Sequence, residues 1–213
     1  MTAEDDAFAA LGMLSDPVRR KLYRHVAAAV SEVGRDAAAE AVGVSRSLAA
    51  FHLDKLVAAG LLAASFRRLS ERTGPGAGRP AKMYRRVEGE HAVSLPPRSY
   101  DTAGRLLAEV VERAGLDLEL QAAARAAGAA DPDAAAGDMV EVLRARGYLP
   151  FWDDGTLRLG NCPFHALADD FRALICGMNL ALIEGMAPEG WSAALDPCPG
   201  GCCVSLCSKN NSD

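Results

Sequence analysis

Six cysteines cluster in the last quarter of the chain, and thiols have the widest chemical repertoire of any residues in it. They are Cys162, Cys176, Cys198, Cys202, Cys203 and Cys207. Thiolates bind zinc and iron–sulfur clusters, and paired thiols form disulfides in oxidising compartments. Residues 1–6 are acidic where a secretory signal would be basic, and no apolar window approaches the roughly 20 residues of a membrane span. We therefore predict a soluble cytoplasmic protein whose cysteines serve metal ligation or redox chemistry.

The spacing of these cysteines sets a condition on any shared metal site. Cys162 and His165 lie where a predicted hairpin meets a predicted helix, so a thiol and an imidazole can face one point there. Cys176 follows 11 residues after His165, which is roughly 16 Å along an unbroken helix and too far for one ion. A common site therefore requires that the helix carrying Cys176 begins well after His165.

Cys202 and Cys203 are neighbours on a predicted strand near the end of the chain. Because side chains alternate along a strand, only one of the two should face the site. Cys198 and Cys202 flank a short loop, so they could form a disulfide or hold a second metal. The alternative is that Cys198 and Cys207 are incidental thiols. These residue types suit an iron–sulfur cluster and zinc alike.

A second chemical feature is the positive charge in the N-terminal half. The whole chain has a net charge of -5, but residues 1–90 hold 14 Lys and Arg against 11 Asp and Glu, whereas residues 91–213 hold 9 against 17. Between residues 64 and 86, Glu71 alone opposes seven cations: Arg67, Arg68, Arg72, Arg79, Lys82, Arg85 and Arg86. Such a strip is typical of contact with nucleic-acid phosphates, and a solvated charged surface is the ordinary alternative.

The elements around this strip predict a winged helix-turn-helix. A helix at 36–42, a turn at Gly43 and a second helix from its cap Ser45 to about Ala59 precede strands at 61–69 and 82–87. In this arrangement the second helix enters the major groove, and the hairpin reaches the backbone or minor groove. The predicted DNA contacts are Ser45, Arg46, Ser47 and His52 on the helix, and Arg72, Arg79 and Lys82 on the hairpin.

Two features of the second helix concern packing. Its predicted inward face consists of Leu48, Leu53, Leu56 and Val57. His52 lies in the middle of the helix, where it can equally be a packing residue or a DNA contact.

The rest of the chain predicts a linking helix and a small α+β domain. A helix from Tyr100 to about Ala127 has an apolar stripe from Ala103 to Leu118, which we interpret as a homodimer contact, with a small-molecule pocket as the alternative. The elements that follow are a helix at 131–146, a hairpin at 148–159 turning at Asp154-Gly155, a helix at 165–186 and a strand at 202–207. The predicted fold is thus α+β, with a DNA-binding domain at 1–95, a linker and dimerisation helix at 96–130 and a sensor domain at 131–213.

Several motifs resemble the ArsR-related winged-helix regulators, in particular their SufR-like iron–sulfur repressor branch. The similar segments are 16–20 (DPVRR), 44–56 (VSRSLAAFHLDKL), 78–84 (GRPAKMY), 161–165 (NCPFH) and 202–204 (CCV). The resemblance implies a homodimer that binds an inverted-repeat operator in double-stranded DNA and represses transcription. It also implies a cluster, of the 4Fe-4S type, bound by Cys162, Cys176 and Cys203, with His165 or Cys202 as the fourth ligand.

Other functions agree with parts of the same pattern. The chain can be a winged-helix regulator whose cysteines hold structural zinc or no metal, and whose effector is an apolar ligand or a partner protein. A third hypothesis is a thiol enzyme or metal hydrolase that uses Cys162 and His165. The sequence contains no recognisable base–orienter set, phosphate loop or dedicated acid pair, so we predict a regulator and not an enzyme.

Overall fold

The computed structural model describes residues 3–29, 31–68, 80–87, 94, 96, 98–198 and 200–208. The chain divides into two compact units, Met1–Arg98 and Ser99–Asp213. Both mix helices with a small antiparallel sheet, so the fold is α+β as predicted. None of the described helices is long and apolar enough to cross a membrane.

The described residues of the first unit form four helices, and the helix ends follow local sequence signals. They are α1 (Ala3–Met13), α2 (Pro17–Ala28), α3 (Arg35–Val42) and α4 (Arg46–Ala58). Asp16 caps α2 by accepting the Arg19 N–H at 2.9 Å, and Ser45 caps α4 by accepting the Leu48 N–H at 3.3 Å. Gly43 ends α3 with φ 73°, a left-handed conformation that glycine adopts without a steric penalty. The predicted cap Ser45 and the predicted turn at Gly43 are confirmed.

A three-stranded sheet completes the first unit. Its strands are β1 (Val33–Gly34), β2 (Leu62–Arg67) and β3 (Ala81–Arg86), in the antiparallel order β1-β3-β2. The helices bury Leu22, Leu53 and Leu56 against it, together with Tyr84 of β3. Leu48, predicted to face inward, is instead 40 % exposed, because Ala49, Leu53 and Leu56 define the buried face and Leu48 lies about 100° away around the helix.

The second unit contains six helices among its described residues, and three helices predicted as continuous are interrupted. The six are α5 (Tyr100–Ala114), α6 (Asp117–Ala129), α7 (Pro132–Ala136), α8 (Met139–Ala145), α9 (His165–Ala168) and α10 (Arg172–Met186). Gly115 separates α5 from α6 with φ 66°. Asp138 starts α8 anew by accepting the Val140 N–H at 3.2 Å. Local capping thus overrides the apolar periodicity that favoured longer helices.

Helices α6 and α10 cross at two glycines. A Cβ atom at Gly128 would overlap the Leu182 carbonyl oxygen, and one at Gly185 would overlap the Arg125 carbonyl oxygen. The two backbones therefore approach more closely than any side chain allows. Both helices of segment 96–130 belong to the second unit.

A four-stranded antiparallel sheet lies beside α10. Its strands are β4 (Pro150–Asp153), β5 (Thr156–Leu159), β6 (Trp191–Leu195) and β7 (Val204–Ser208), in the order β4-β5-β7-β6. The predicted hairpin turn is confirmed, with positive φ at Asp154 and Gly155. β6 was not predicted. The last strand begins at Val204, so Cys202 and Cys203 precede it and strand alternation does not govern their directions.

Candidate functional site

The start of α4 presents polar side chains to solvent. The Arg46 side chain is 69 % exposed, and its Nε lies 2.5 Å from Asp36 Oδ1 at the start of α3. The hydroxyl oxygens of Ser45 and Ser47 are 3.1 Å apart. Between α3 and α4 is an open groove of about 380 Å³, lined by Arg35, Arg46, Ser47 and Ala50. Three predicted contacts, Ser45, Arg46 and Ser47, therefore share one accessible surface.

His52 lies on a buried face of α4, inside the first unit. It is only 6 % exposed, and its Nδ1 accepts a hydrogen bond from Arg19 Nε at 3.3 Å. Its ring also packs edge-on against Phe51, with centroids 5.3 Å apart. A side chain held this way has a packing role in this structure, and its contact with DNA stays a prediction.

Lys82 is bound into a polar network that joins β3, α3 and α4. Its Nζ donates to Asp54 Oδ1 at 2.7 Å, and the Tyr84 hydroxyl donates to the same oxygen at 2.7 Å. Arg35 Nε donates to the Tyr84 hydroxyl at 3.0 Å. Arg35, Asp54 and Tyr84 were not predicted as site residues, because no local spacing indicates that they meet. The predicted hairpin contacts Arg72 and Arg79 lie outside the described residues.

The network changes the acidity of its members. Burial alone would raise the pKa of Asp54, but the hydrogen bonds from Lys82 and Tyr84 and the charges of Lys82 and Arg35 lower it below its ordinary value of 3.8. Burial, together with donation to Asp54, raises the pKa of Tyr84 to about 12. At neutral pH the carboxylate is therefore charged and the phenol keeps its proton.

The second unit brings four of its cysteines together. Cys162 follows β5, Cys176 lies in the second turn of α10, and Cys202 and Cys203 precede β7. The predicted continuous helix from 165 to 186 is wrong, because residues 169–171 separate α9 from α10. This break meets the geometric condition for Cys176 to share a site with Cys162.

The four thiols form two hydrogen-bonded pairs. Cys176 Sγ donates to Cys203 Sγ at 3.0 Å, and the Cys202 thiol donates to Cys162. The bond from Cys202 lowers the pKa of Cys162, although burial opposes this shift. Burial and the bond to Cys203 raise the pKa of Cys176 to about 12. Donation to Cys162, together with burial, raises the pKa of Cys202.

Cys202 and Cys203 have different surroundings. Cys202 is fully buried, and its sulfur accepts a hydrogen bond from Asn179 Nδ2 at 3.2 Å. Asn179 is also buried, and its Oδ1 accepts the Tyr148 hydroxyl at 2.6 Å. Cys203 instead lines a cavity. In the sequence, the signal for the Tyr148–Asn179 pair is a polar asparagine within the largely apolar segment that forms α10.

The cavity beside the thiols has a volume of about 250 Å³. Its lining includes Cys162, His165, Asp169, Arg172, Cys198 and Cys203. The exposed His165 ring points its Nε2 at Asp169 Oδ2, 3.7 Å away. Cys198 therefore belongs to the same neighbourhood, whereas Cys207 is exposed on β7 with its sulfur 3.8 Å from Thr156 Oγ1.

The donor chemistry of this cluster suits soft metals, but its geometry is not that of a closed single-ion site. Within the described ranges, no three His, Cys, Asp or Glu side chains converge closely enough to hold one metal ion. An iron–sulfur cluster has several metal atoms and accepts thiolates that are spread over a larger region. Thiolates are the ligands that such a cluster requires, and the hydrogen bond between Cys176 and Cys203 would be replaced by metal bonds if one were held there.

One face of α5 is apolar and uncovered. Leu106, Leu107 and Val110 are mostly exposed. On another side of the helix, Arg105 donates to the Ala166 carbonyl oxygen at 2.9 Å and pairs with Asp170. These contacts hold α5 against α9 and leave the predicted apolar stripe open.

Searches for similar proteins gave no match to a family model, and no significant match among curated proteins or solved structures.

Proposed function

We propose that the protein is a DNA-binding transcriptional regulator whose first unit is a winged helix-turn-helix. One observation carries the proposal: the exposed start of α4 presents Arg46 and two serines beside an open groove, and a basic hairpin follows directly. An α-helix fits the major groove, and side chains at its start reach base edges and phosphates. The resemblance of residues 44–56 and 78–84 to ArsR-related regulators supports the same function and favours a repressor.

In the proposed complex, Arg46 exchanges its carboxylate partner for an acceptor on the DNA. Its present partner, Asp36, is solvent-exposed, and exposed ion pairs are worth at most about 1 kcal/mol. A guanine edge or a phosphate can therefore replace the carboxylate at low cost. Arg72 and Arg79 of the hairpin would contact the backbone, which positions the protein without reading sequence.

The proposed assembly is a homodimer on an inverted repeat. Burying the exposed apolar face of α5 would be favourable, and a second copy of the same helix can bury it through a two-fold contact. A two-fold dimer matches a palindromic operator. That the protein represses transcription is inferred from the resemblance.

The proposed sensor is the thiol cluster of the second unit. Cys162, Cys176 and Cys203 would hold a 4Fe-4S cluster, with Cys202 or His165 as the fourth ligand. When bound, such a cluster supplies a crosslink that oxidation or iron loss removes. These ligands connect three segments: the residues after β5, the helix α10 and the segment before β7. Zinc bound by the same thiols is the alternative and would serve mainly to hold these segments together.

DNA binding is tested by selecting duplexes from a random-sequence library with the full-length protein and measuring their affinity by fluorescence anisotropy. We expect an inverted repeat to be enriched. The double variant Arg46→Ala, Arg79→Ala should lose binding at moderate salt, whereas Arg113→Ala, an exposed cation of the second unit, should not. If the double variant bound as tightly as the wild type, the proposed DNA-binding surface would be refuted. If the wild type enriched no sequence, the function would be refuted.

The metal centre is tested by anaerobic purification followed by visible absorption and iron, sulfide and zinc analysis. We expect a coloured protein that contains iron and sulfide, and loss of both in Cys176→Ser. Cys207→Ser is the matched control, because this exposed thiol lies outside the cavity lining. A colourless protein with stoichiometric zinc would establish the zinc alternative. A metal-free protein whose DNA affinity does not change with oxidants or chelators would contradict both the cluster and the zinc site.

A further inference from the structure

We infer that the groove between α3 and α4 binds a backbone phosphate of DNA, and that Arg35 supplies its fixed cation. This inference rests on the proposed DNA-binding function and names a contact that the sequence did not indicate. Its basis is the way in which a buried tyrosine holds the Arg35 side chain at the groove.

The groove has the donors that a phosphate diester requires. Two guanidinium groups and a hydroxyl, from Arg35, Arg46 and Ser47, line about 380 Å³ of open space, and the small side chain of Ala50 leaves that space free. Arginine suits this ligand because its planar donors match two phosphate oxygens at once. The two arginines are the first residues of neighbouring helices.

Arg35 is oriented before any ligand arrives. Its Nε donates to the Tyr84 hydroxyl at 3.0 Å, and that hydroxyl donates its own proton to Asp54 Oδ1 at 2.7 Å. Tyr84 is fully buried, so the acceptor that holds Arg35 does not move with the surface. The cost of ordering this long side chain is therefore already met in the free protein.

The remaining donors of Arg35 are available. Its Nη2 lies 3.7 Å from Asp54 Oδ2, which is longer than a hydrogen bond. Asp54 is shared, because its other oxygen accepts from Lys82 as well as from Tyr84. With 32 % of its side chain exposed, Arg35 is reachable from the groove.

The local charge matches one phosphate diester. Arg35, Arg46 and Lys82 contribute three positive charges, and their partners Asp36 and Asp54 contribute two negative charges. The ion-paired set thus has an excess of one positive charge, which one diester anion neutralises.

The experiment measures the affinity of selected and shuffled duplexes at several salt concentrations. Arg35→Gln removes the charge but retains a side chain that can donate to Tyr84. We expect the slope of log affinity against log salt to decrease in magnitude by about 0.9, with binding about eightfold weaker near 0.1 M salt. The loss should be equal for both duplexes, because a phosphate contact carries no sequence information.

Two further variants separate charge from orientation. Arg35→Lys keeps the charge, so the salt slope should be retained while the affinity falls. Tyr84→Phe keeps Arg35 but removes its acceptor, and it should likewise weaken binding without changing the slope. A merely structural role for Arg35 would lower the melting temperature and leave the slope of all three variants unchanged.

The outcomes distinguish this inference from the function on which it rests. If the wild type binds DNA and Arg46→Ala weakens it, but Arg35→Gln leaves the slope unchanged, the phosphate contact is refuted and the regulator stands. If the wild type binds no duplex, both are refuted. An unfolded Arg35→Gln is replaced by Arg35→Lys, whose unchanged affinity for both duplexes would equally overturn the inference.

Discussion

Each unit has a fully buried tyrosine that supports its candidate site, and the two tyrosines do so in opposite electrostatic settings. Tyr84 donates to Asp54, a carboxylate whose side chain is 46 % exposed and shared with Lys82. Tyr148 donates to Asn179, a buried neutral amide that in turn donates to Cys202. The first network keeps its charged groups partly exposed to water, whereas the second unit buries the thiols of Cys176 and Cys202.

The difference follows from what each site is proposed to bind. Groups that attract a polyanion must remain charged and accessible, and burying them without a partner costs several kcal/mol. Thiols lose little on burial, and the raised pKa values of Cys176 and Cys202 keep these two protonated until a metal replaces the proton. A neutral amide can orient a buried sulfur without bringing a charge into the core.

The largest expected loss of stability is at the contact between α6 and α10 in the second unit. Gly128→Ala or Gly185→Ala places a methyl group against a backbone carbonyl that cannot move aside. We expect roughly 3 kcal/mol of lost stability, the upper part of the range for overpacked cores. Hydrogen exchange should show the loss in α6 and α10 but not in the first unit. Gly12→Ala in α1, where the space is open, is the control, and equal protection in all three variants would contradict the crossing.

The tyrosines themselves test the comparison directly. Tyr148→Phe leaves the buried Asn179 oxygen without its donor, which should cost about 1–3 kcal/mol. Tyr84→Phe leaves Asp54 bonded to Lys82 and open to water, so its cost should stay below about 1 kcal/mol. Urea denaturation monitored by exchange within each unit measures both values. A reversed order would mean that burial is not what separates the two networks.

Acid should weaken the first unit through Asp54. Its folded pKa is lowered, so the carboxylate contributes stability above the unfolded pKa, near 3.8, and loses that contribution as the pH falls through the lower folded value. Because the group is partly exposed, the contribution should be below about 1 kcal/mol. Asp54→Asn should flatten this part of the stability profile between about pH 5 and pH 2. An unchanged profile would show that the network does not hold the carboxylate ionised.

The smallest expected effect concerns the ion pair at the start of α4. Asp36→Asn releases Arg46 from its carboxylate partner and should strengthen DNA binding by about fivefold at most, since an exposed pair is worth up to about 1 kcal/mol. Anisotropy titrations at low salt measure the gain, which should shrink as salt rises. Glu109→Gln, which breaks the comparable pair with Arg113, should change nothing. Weaker binding by Asp36→Asn would indicate that Asp36 orients Arg46 instead of competing for it.

Much of the first unit could be predicted because its signals are local. Gly43 and Ser45 act within one turn of themselves, and the structure places both as the sequence indicates. The second unit was less accessible, because its long helices are broken by caps and glycines that compete with an otherwise continuous apolar pattern. β6 has few strand signals of its own and forms by pairing with β7.

The sequence by itself determined the residue types of both candidate sites: cations at the start of α4 and around the hairpin, and cysteines clustered near the end of the chain. Only the tertiary structure decided which of them meet. It buried His52, bound Lys82 to Asp54, brought Arg35 to the groove and separated α9 from α10 so that Cys176 lies beside Cys203. These outcomes depend on contacts between residues far apart in sequence, where burial and hydrogen-bond geometry, not local propensity, set the position of each side chain.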